Sequence, residues 1–273
     1  MPVDHYENFP VASWLLPSRL RQPIETIYFF ARTADDFADE GTLSGAERLG
    51  LLDDYRHELD LIAAGSTSTK PLFQKLAAVI AEHNLPITLF YDLLDAFSQD
   101  VNKVRYQTYA ELMDYCRRSA NPIGRLLLHL YRKTSPQNLS WSDAICSSLQ
   151  LINHWQDVAI DYAKVKGGRI YLPQEDLASF GLSDLDIATS TDSAAWTQLM
   201  AFQCSRARDL MNSGRPLGNA LPGRIGAELR TIIAGGSAIL TKIDAARGDV
   251  FRHRPKLTAW DWLKIGPRAL LPI

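Results

Sequence analysis

Apolar positions recur along most of the chain at spacings of three and four residues, the period of helices buried along one face. The pattern predicts helices over 23–40, 44–64, 71–83, 87–100, 109–119, 122–133, 141–163, 194–213 and 223–247. Start signals stand where the pattern needs them. Ser44-Gly45-Ala46-Glu47 and Thr108-Tyr109-Ala110-Glu111 read as capping boxes, and Ser140-Trp141-Ser142-Asp143 as a weaker one. Pro23, Pro71, Pro86 and Pro122 stand at the heads of apolar-periodic segments, where a missing N–H costs least. Gly167-Gly168 is a stop signal. Strand-like alternation is absent, and 174–193, rich in Ser, Thr and Asp, predicts an exposed excursion. With no repeat, low-complexity tract or linker, the expectation is an all-α chain forming a single domain over 1–273.

Composition narrows the function classes. At 273 residues and 46% hydrophobic content, the chain can bury one large core. Lys+Arg total 29 against Asp+Glu 31, so no basic excess points to nucleic acid. Cys116, Cys146 and Cys204 are scattered and form no C-x-x-C pair. That argues against a disulfide framework or zinc knuckle and for a reducing cytoplasm. The opening MPVDHYENFP lacks the order of a signal peptide, and no apolar run has the roughly 18–20 residues of a membrane span.

Two segments carry candidate chemistry. One holds Arg32, Asp35, Asp36 and Asp39; the other holds Gln150, Asn153, Asp157 and Asp161. Each contains D-x-x-x-D, which on a helix sets two carboxylates on one face about 5–6 Å apart at Cβ. The spacing alone is weak evidence. With 22 aspartates, roughly two such pairs arise by chance, and a solvated acidic face fits the same pattern. Context favours a site: both stripes sit in markedly apolar helices, where a carboxylate is costly unless paired or ligated. Carboxylate, Asn and Gln oxygens are hard ligands suited to magnesium, which phosphate oxygens commonly help to hold.

The wider motifs resemble the squalene/phytoene synthase family over about residues 5 to 265. The first family motif, R-x-x-D-D-x-x-D, is matched by Arg32, Asp35, Asp36 and Asp39. The second, N-x-x-x-D-x-x-x-D followed by G-R-x-Y-L-P, is matched by Asn153, Asp157 and Asp161, then by Gly168, Arg169, Ile170, Tyr171, Leu172 and Pro173. Asn8-Phe9, Leu15-Leu16-Pro17 and Tyr115-Cys116 before Gly124 add to the match. The resemblance implies an isoprenoid synthase-type helical bundle around a central cavity. It also implies a Mg2+ cofactor held by Asp35, Asp36, Asp39, Asn153, Asp157 and Asp161, and a prenyl diphosphate substrate. Arg32, Arg169 and Tyr171 become candidates for the phosphates, and Asn8 and Gln150 for substrate contact. Tyr115 becomes a candidate for steering the cation or handling a proton. A core tyrosine with a bonded hydroxyl fits Tyr115 as well.

Departures from the family narrow the reaction. Arg117-Arg118-Ser119-Ala120-Asn121-Pro122 replaces a small apolar stretch, and no Gly-x-Gly-x-x-Gly nucleotide fingerprint is present. These features are similar to the bacterial hopanoid-pathway branch. Its members ionise presqualene diphosphate, rearrange the cation and let water quench it to hydroxysqualene, which another squalene-pathway enzyme reduces. Ser119 and Asn121 are then candidates for holding the water. Plain hydrogen bonding by Arg117, Arg118 and Asn121 fits equally. Head-to-head condensation of two farnesyl diphosphates, and a non-catalytic assembly factor, are the competing readings. The basic run from Arg252 to Lys256, with Trp260 and Trp262, fits either peripheral contact at the inner face of the membrane or a tail packed on the domain.

Overall fold

The computed structural model describes residues 18–165 and 167–269. Among them the chain forms α1 Ser18–Asp39, α2 Gly45–Ala63, α3 Pro71–His83, α4 Thr88–Asn102, α5 Tyr109–Ser119, α6 Asn121–Leu130 and α7 Pro136–Gln156. There follow α8 Val158–Lys164, α9 Gln174–Ser179, α10 Asp184–Ala188, α11 Ala194–Gly214, α12 Leu217–Ala220, α13 Gly223–Ala245 and α14 Ala259–Ala269. No strand occurs among the described residues; an isolated bridge joins Arg105 to Ile170.

The local signals operate much as the sequence implies. Ser44 caps α2, accepting from the Glu47 N–H at 3.3 Å while the Glu47 carboxylate takes the Ser44 N–H at 2.8 Å. The third capping signal is corrected. Helix α7 starts five residues earlier than expected, because Ser135 caps it through Asn138 N–H at 3.2 Å and Pro136 fills the first helical position. Pro23 lies inside α1 rather than at its head.

The single helix expected over 141–163 is broken at Asp157, whose φ −105° and ψ 12° fall outside the helical well. The bond ladder still runs through the break. Asp157 N–H reaches the Asn153 carbonyl at 3.0 Å, and Asp161 N–H reaches that of Asp157 at 2.8 Å. The break coincides with the crossing of the C-terminal segment, where Gln156 Nε2 donates to the Pro255 carbonyl at 2.5 Å.

Two buried clusters hold the bundle. In the first, from α1 to α4 with α6, Phe30, Tyr55, Phe73 and Phe90 interlock edge to face, Tyr55 and Phe73 at 4.8 Å between centroids. Each such ring contributes roughly 1.5–3 kcal/mol on burial. The second cluster, mainly from α5, α7, α11 and α13, surrounds the fully buried Trp155 and Trp196. Helix α6 serves both, sending Leu126 and Leu130 to the first and Leu128 to the second. The exposed excursion expected over 174–193 is also corrected. It carries α9 and α10, and Leu177, Leu182 and Ile187 are buried in the second cluster. Polar residues misled the reading: Asp176 is buried because Gln203 and Arg206 donate to it at 2.7 and 2.6 Å.

Candidate active site

Helix α1 brings the first stripe to one face. Arg32 pairs with Asp36 at 2.7 Å and with Asp35 at 3.5 Å, as their spacing of four and three residues allows. Asp39, one turn beyond Asp35, is reached from the second stripe's side. Lys164, three residues past Asp161 on α8, pairs with it at 2.8 Å, and Arg169 at 2.9 Å. The two stripes are thus joined across about 125 residues of chain by ion pairs on Asp39.

Arg169 is turned inward by the glycine before it. Gly168 has φ +70°, and a Cβ there would run into the ring of Tyr162. Arg169 is only 3% exposed, so it is no loose surface pair, and its Nη2 donates to the Asp100 backbone carbonyl at 2.9 Å. Two residues on, Tyr171 donates its hydroxyl to the Asp100 carboxylate at 3.1 Å. Tyr115, from α5, donates to the other oxygen of that carboxylate at 2.7 Å. The His154 ring stacks on Tyr171 with centroids 3.6 Å apart.

The electrostatics follow from burial. Asp35 is pushed up to about 7 by loss of water and then by Asp39. Asp161 rises to about 7 through burial and then through Asp157, with Asp39 adding to the effect. Burial opposes ionisation of Asp39 too, but Arg169 and Lys164 outweigh it and hold its pKa below the ordinary value. Burial, then the Arg169 charge, depress His154 to about 3, so its ring is neutral. The carboxylates Asp35, Asp36, Asp39, Asp100, Asp157 and Asp161 outnumber the cations Arg32, Lys164, Arg169 and Arg254, and Glu40 competes for Lys164 at 3.7 Å. With all of them ionised, the cluster carries a net negative charge. Among the described residues no group of three or more His, Cys, Asp or Glu closes a metal shell by itself. The donors are hard oxygens in pairs, which suits a divalent ion completed by phosphate and water oxygens rather than an all-protein cage.

The other expected residues fall as follows. Asp157 is gripped by Arg254 through both guanidinium arms, Nη2 at 2.9 Å. The basic segment is therefore packed here rather than hanging free. Gln150 lies 3.4 Å from His154 Nε2, and Asn153 is exposed on the last turn of α7. Asn121 is buried and accepts from Ser147 at 2.9 Å. Arg117 and Arg118 both pair with Asp114. The Ser119 hydroxyl is buried with no hydrogen-bond partner among the described residues. Asn8 and the Leu15-Leu16-Pro17 entry lie outside the described residues. Asp100, His154, Lys164 and Arg254 were missed. Lys164 had a signal in its i+3 spacing from Asp161; Asp100 had none, being one aspartate in an ordinary amphipathic helix.

A family model described as squalene/phytoene synthase matches residues 3–261. The chain belongs to the squalene/phytoene synthase family. It is an enzyme, and members of this family act on prenyl diphosphates and generally use divalent metal ions. It is 37% identical over 237 residues to hydroxysqualene synthase of Rhodopseudomonas palustris, covering 86% of this chain and 78% of that protein. Phytoene synthase of Arthrospira platensis is 29% identical over 98% of this chain and 90% of its own. Among solved structures, squalene synthase HpnC from Alicyclobacillus acidocaldarius superposes with a TM-score of 0.81 at 38% identity, covering 89% of this chain and 90% of that one. A dehydrosqualene synthase at 21% identity, with a TM-score of 0.82 over 94% of this chain and 88% of that one, shares the fold. The expected all-α, isoprenoid synthase-type architecture is borne out.

Proposed function

We propose that this enzyme converts presqualene diphosphate and water to hydroxysqualene and diphosphate, with magnesium assisting the ionisation. The observation that carries the reading is that Lys164 and Arg169, which follow the second stripe, both pair with Asp39 of the first, in a cluster where carboxylates outnumber cations. The names and identities of the hydroxysqualene synthases among its relatives support the substrate.

Asp35, Asp36, Asp39, Asp157 and Asp161, with Asn153, fit the role of holding magnesium. When bound, that ion supplies Lewis-acid neutralisation of the departing diphosphate. Arg32 and Arg169 stand beside the same carboxylates and suit bidentate phosphate contact. Tyr171 does not suit the phosphate-donor role expected of it, because its hydroxyl proton is committed to Asp100. The Ser119 hydroxyl, buried without a partner among the described residues, supports that segment as a place for the quenching water. The chain works as one domain, as the helix shared by both clusters suggests. Among the described residues no helix is long and apolar enough to cross a membrane. Trp260 and Leu263, 73% and 65% exposed on α14, support peripheral contact from the cytoplasmic side.

The test is product analysis with presqualene diphosphate and magnesium, no reductant added. Hydroxysqualene and diphosphate are expected, and both should be lost in Asp39→Ala and Asp157→Ala. Squalene, or unreacted substrate, refutes the reading. Turnover of farnesyl diphosphate alone would restore the condensing alternative.

A further inference from the structure

Asp100 is the one carboxylate of the cluster that lies in neither stripe. It is 5% exposed, on α4, at the hydroxyl ends of Tyr115 and Tyr171, whose rings contact each other and that of Tyr106. Its two oxygens are divided between two phenols: Tyr115 donates to one at 2.7 Å and Tyr171 to the other at 3.1 Å. The third phenol is held differently, with Tyr106 accepting from Gln99 at 3.1 Å. The nearest cation, Arg169, spends its arms on Asp39 and on the Asp100 backbone carbonyl, not on the Asp100 carboxylate. A hydroxyl has one proton and two lone pairs. When Asp100 is ionised both protons are pinned on it, and Tyr115 and Tyr171 have only lone pairs left to offer any third group. Such an oxygen accepts a hydrogen bond from water, and it does not act as the donor.

We propose that Asp100 sets the polarity of these two hydroxyls, so that Tyr115 takes the proton from the water that captures the carbocation. The inference rests on the water-capture reading above. In the step, a water lone pair forms the C–O bond to the cationic carbon. The resulting oxonium passes a proton to the Tyr115 oxygen as the Tyr115 proton moves to the Asp100 carboxylate. The alcohol leaves neutral, Asp100 is left protonated, and it returns the proton to solvent before the next turnover. No oxidant or reductant is needed. Tyr115 is the better relay of the pair because its bond to Asp100 is the shorter. Asp100 acts through Tyr115 and is a positioning residue. The buried position agrees with this: loss of water raises Asp100 to about 7, so it exchanges a proton readily near neutral pH.

The experiment compares wild type, Asp100→Asn and Tyr115→Phe on presqualene diphosphate with magnesium, measuring hydroxysqualene formed per diphosphate released. Asn keeps the shape but gives one tyrosine a donor instead of an acceptor. The expected result is a fall of at least about 10-fold in that ratio for both variants. The missing product should appear as hydrocarbon formed by proton loss or as a differently placed alcohol. A merely structural role for Asp100 lowers both quantities together and leaves the ratio unchanged. An unchanged ratio in Asp100→Asn overturns the proposal. If that variant does not fold, an unchanged ratio in Tyr115→Phe overturns it and a lowered one upholds it. A wild type that makes no hydroxysqualene fails the function reading instead.

Discussion

Asp100 also predicts how stability changes with pH. Its carboxyl is shifted from 3.8 to about 7 in the folded protein by loss of water, with Arg169 and the Tyr115 bond opposing the shift. At 5% exposure no solvent screening needs to be taken off. A raised acid favours its protonated form, so the folded chain holds this proton over a range where the unfolded chain has lost it. The contribution to stability is intact below the unfolded value and declines as pH rises towards the folded one. The slope approaches about 1.4 kcal/mol per pH unit between the two values and flattens near pH 7, so crossing from pH 5 to 7 removes about 2 kcal/mol. Asn at this position is neutral throughout and removes the slope. The assay is urea unfolding of wild type and Asp100→Asn between pH 5 and 8 in the presence of EDTA. Other titrating groups, Asp35 and Asp161 among them, cancel in the difference between the two proteins. Wild type should lose about 3 kcal/mol relative to the variant across that range. A difference that stays constant to within about 0.5 kcal/mol refutes the reasoning.

Three further substitutions test how the site is assembled. Gly168→Ala combines a positive φ with a collision against Tyr162 and should cost about 1–3 kcal/mol in thermal unfolding. Gly167→Ala, at φ +90° with open space around it, should cost only about 1 kcal/mol. Arg254→Met leaves Asp157 without its guanidinium partner and should lower stability in EDTA by about 1–3 kcal/mol. Magnesium should restore more of the melting temperature in that variant than it adds to wild type.

The helices were legible because their signals are local. Ser44 with Glu47, Pro71, and the apolar periodicity of α4 each act within a turn or two. The two stripes were legible for the same reason, since D-x-x-x-D is a one-turn pattern. What the sequence hid depends on distant partners. The break at Asp157 coincides with a residue 97 positions away, Arg254. The 174–193 segment looked exposed because its polar residues conceal Leu177, Leu182 and Ile187 inside the core. Asp100 looked like a surface aspartate because the tyrosines that make its burial tolerable come from α5 and from beyond α8.

The pairing within each stripe is asymmetric, and that asymmetry bears on what the site admits. In the first, Asp39 has Arg169 and Lys164, while among the described residues Asp35 has only a 3.5 Å contact with Arg32. In the second, Asp157 has Arg254, while burial and the neighbouring Asp157 charge push Asp161 up to about 7. One aspartate of each pair is thus satisfied by the protein and the other is held close to losing its proton at neutral pH. Two carboxyls pushed up to about 7, on helices linked through the ion pairs of Asp39, form a site whose full ionisation is favoured by added cations. Divalent ions offset its excess negative charge, and a diphosphate brings in negative charge that calls for more of them. On this accounting, substrate and metal ions stabilise each other's binding, and neither should bind alone as tightly as in the presence of the other.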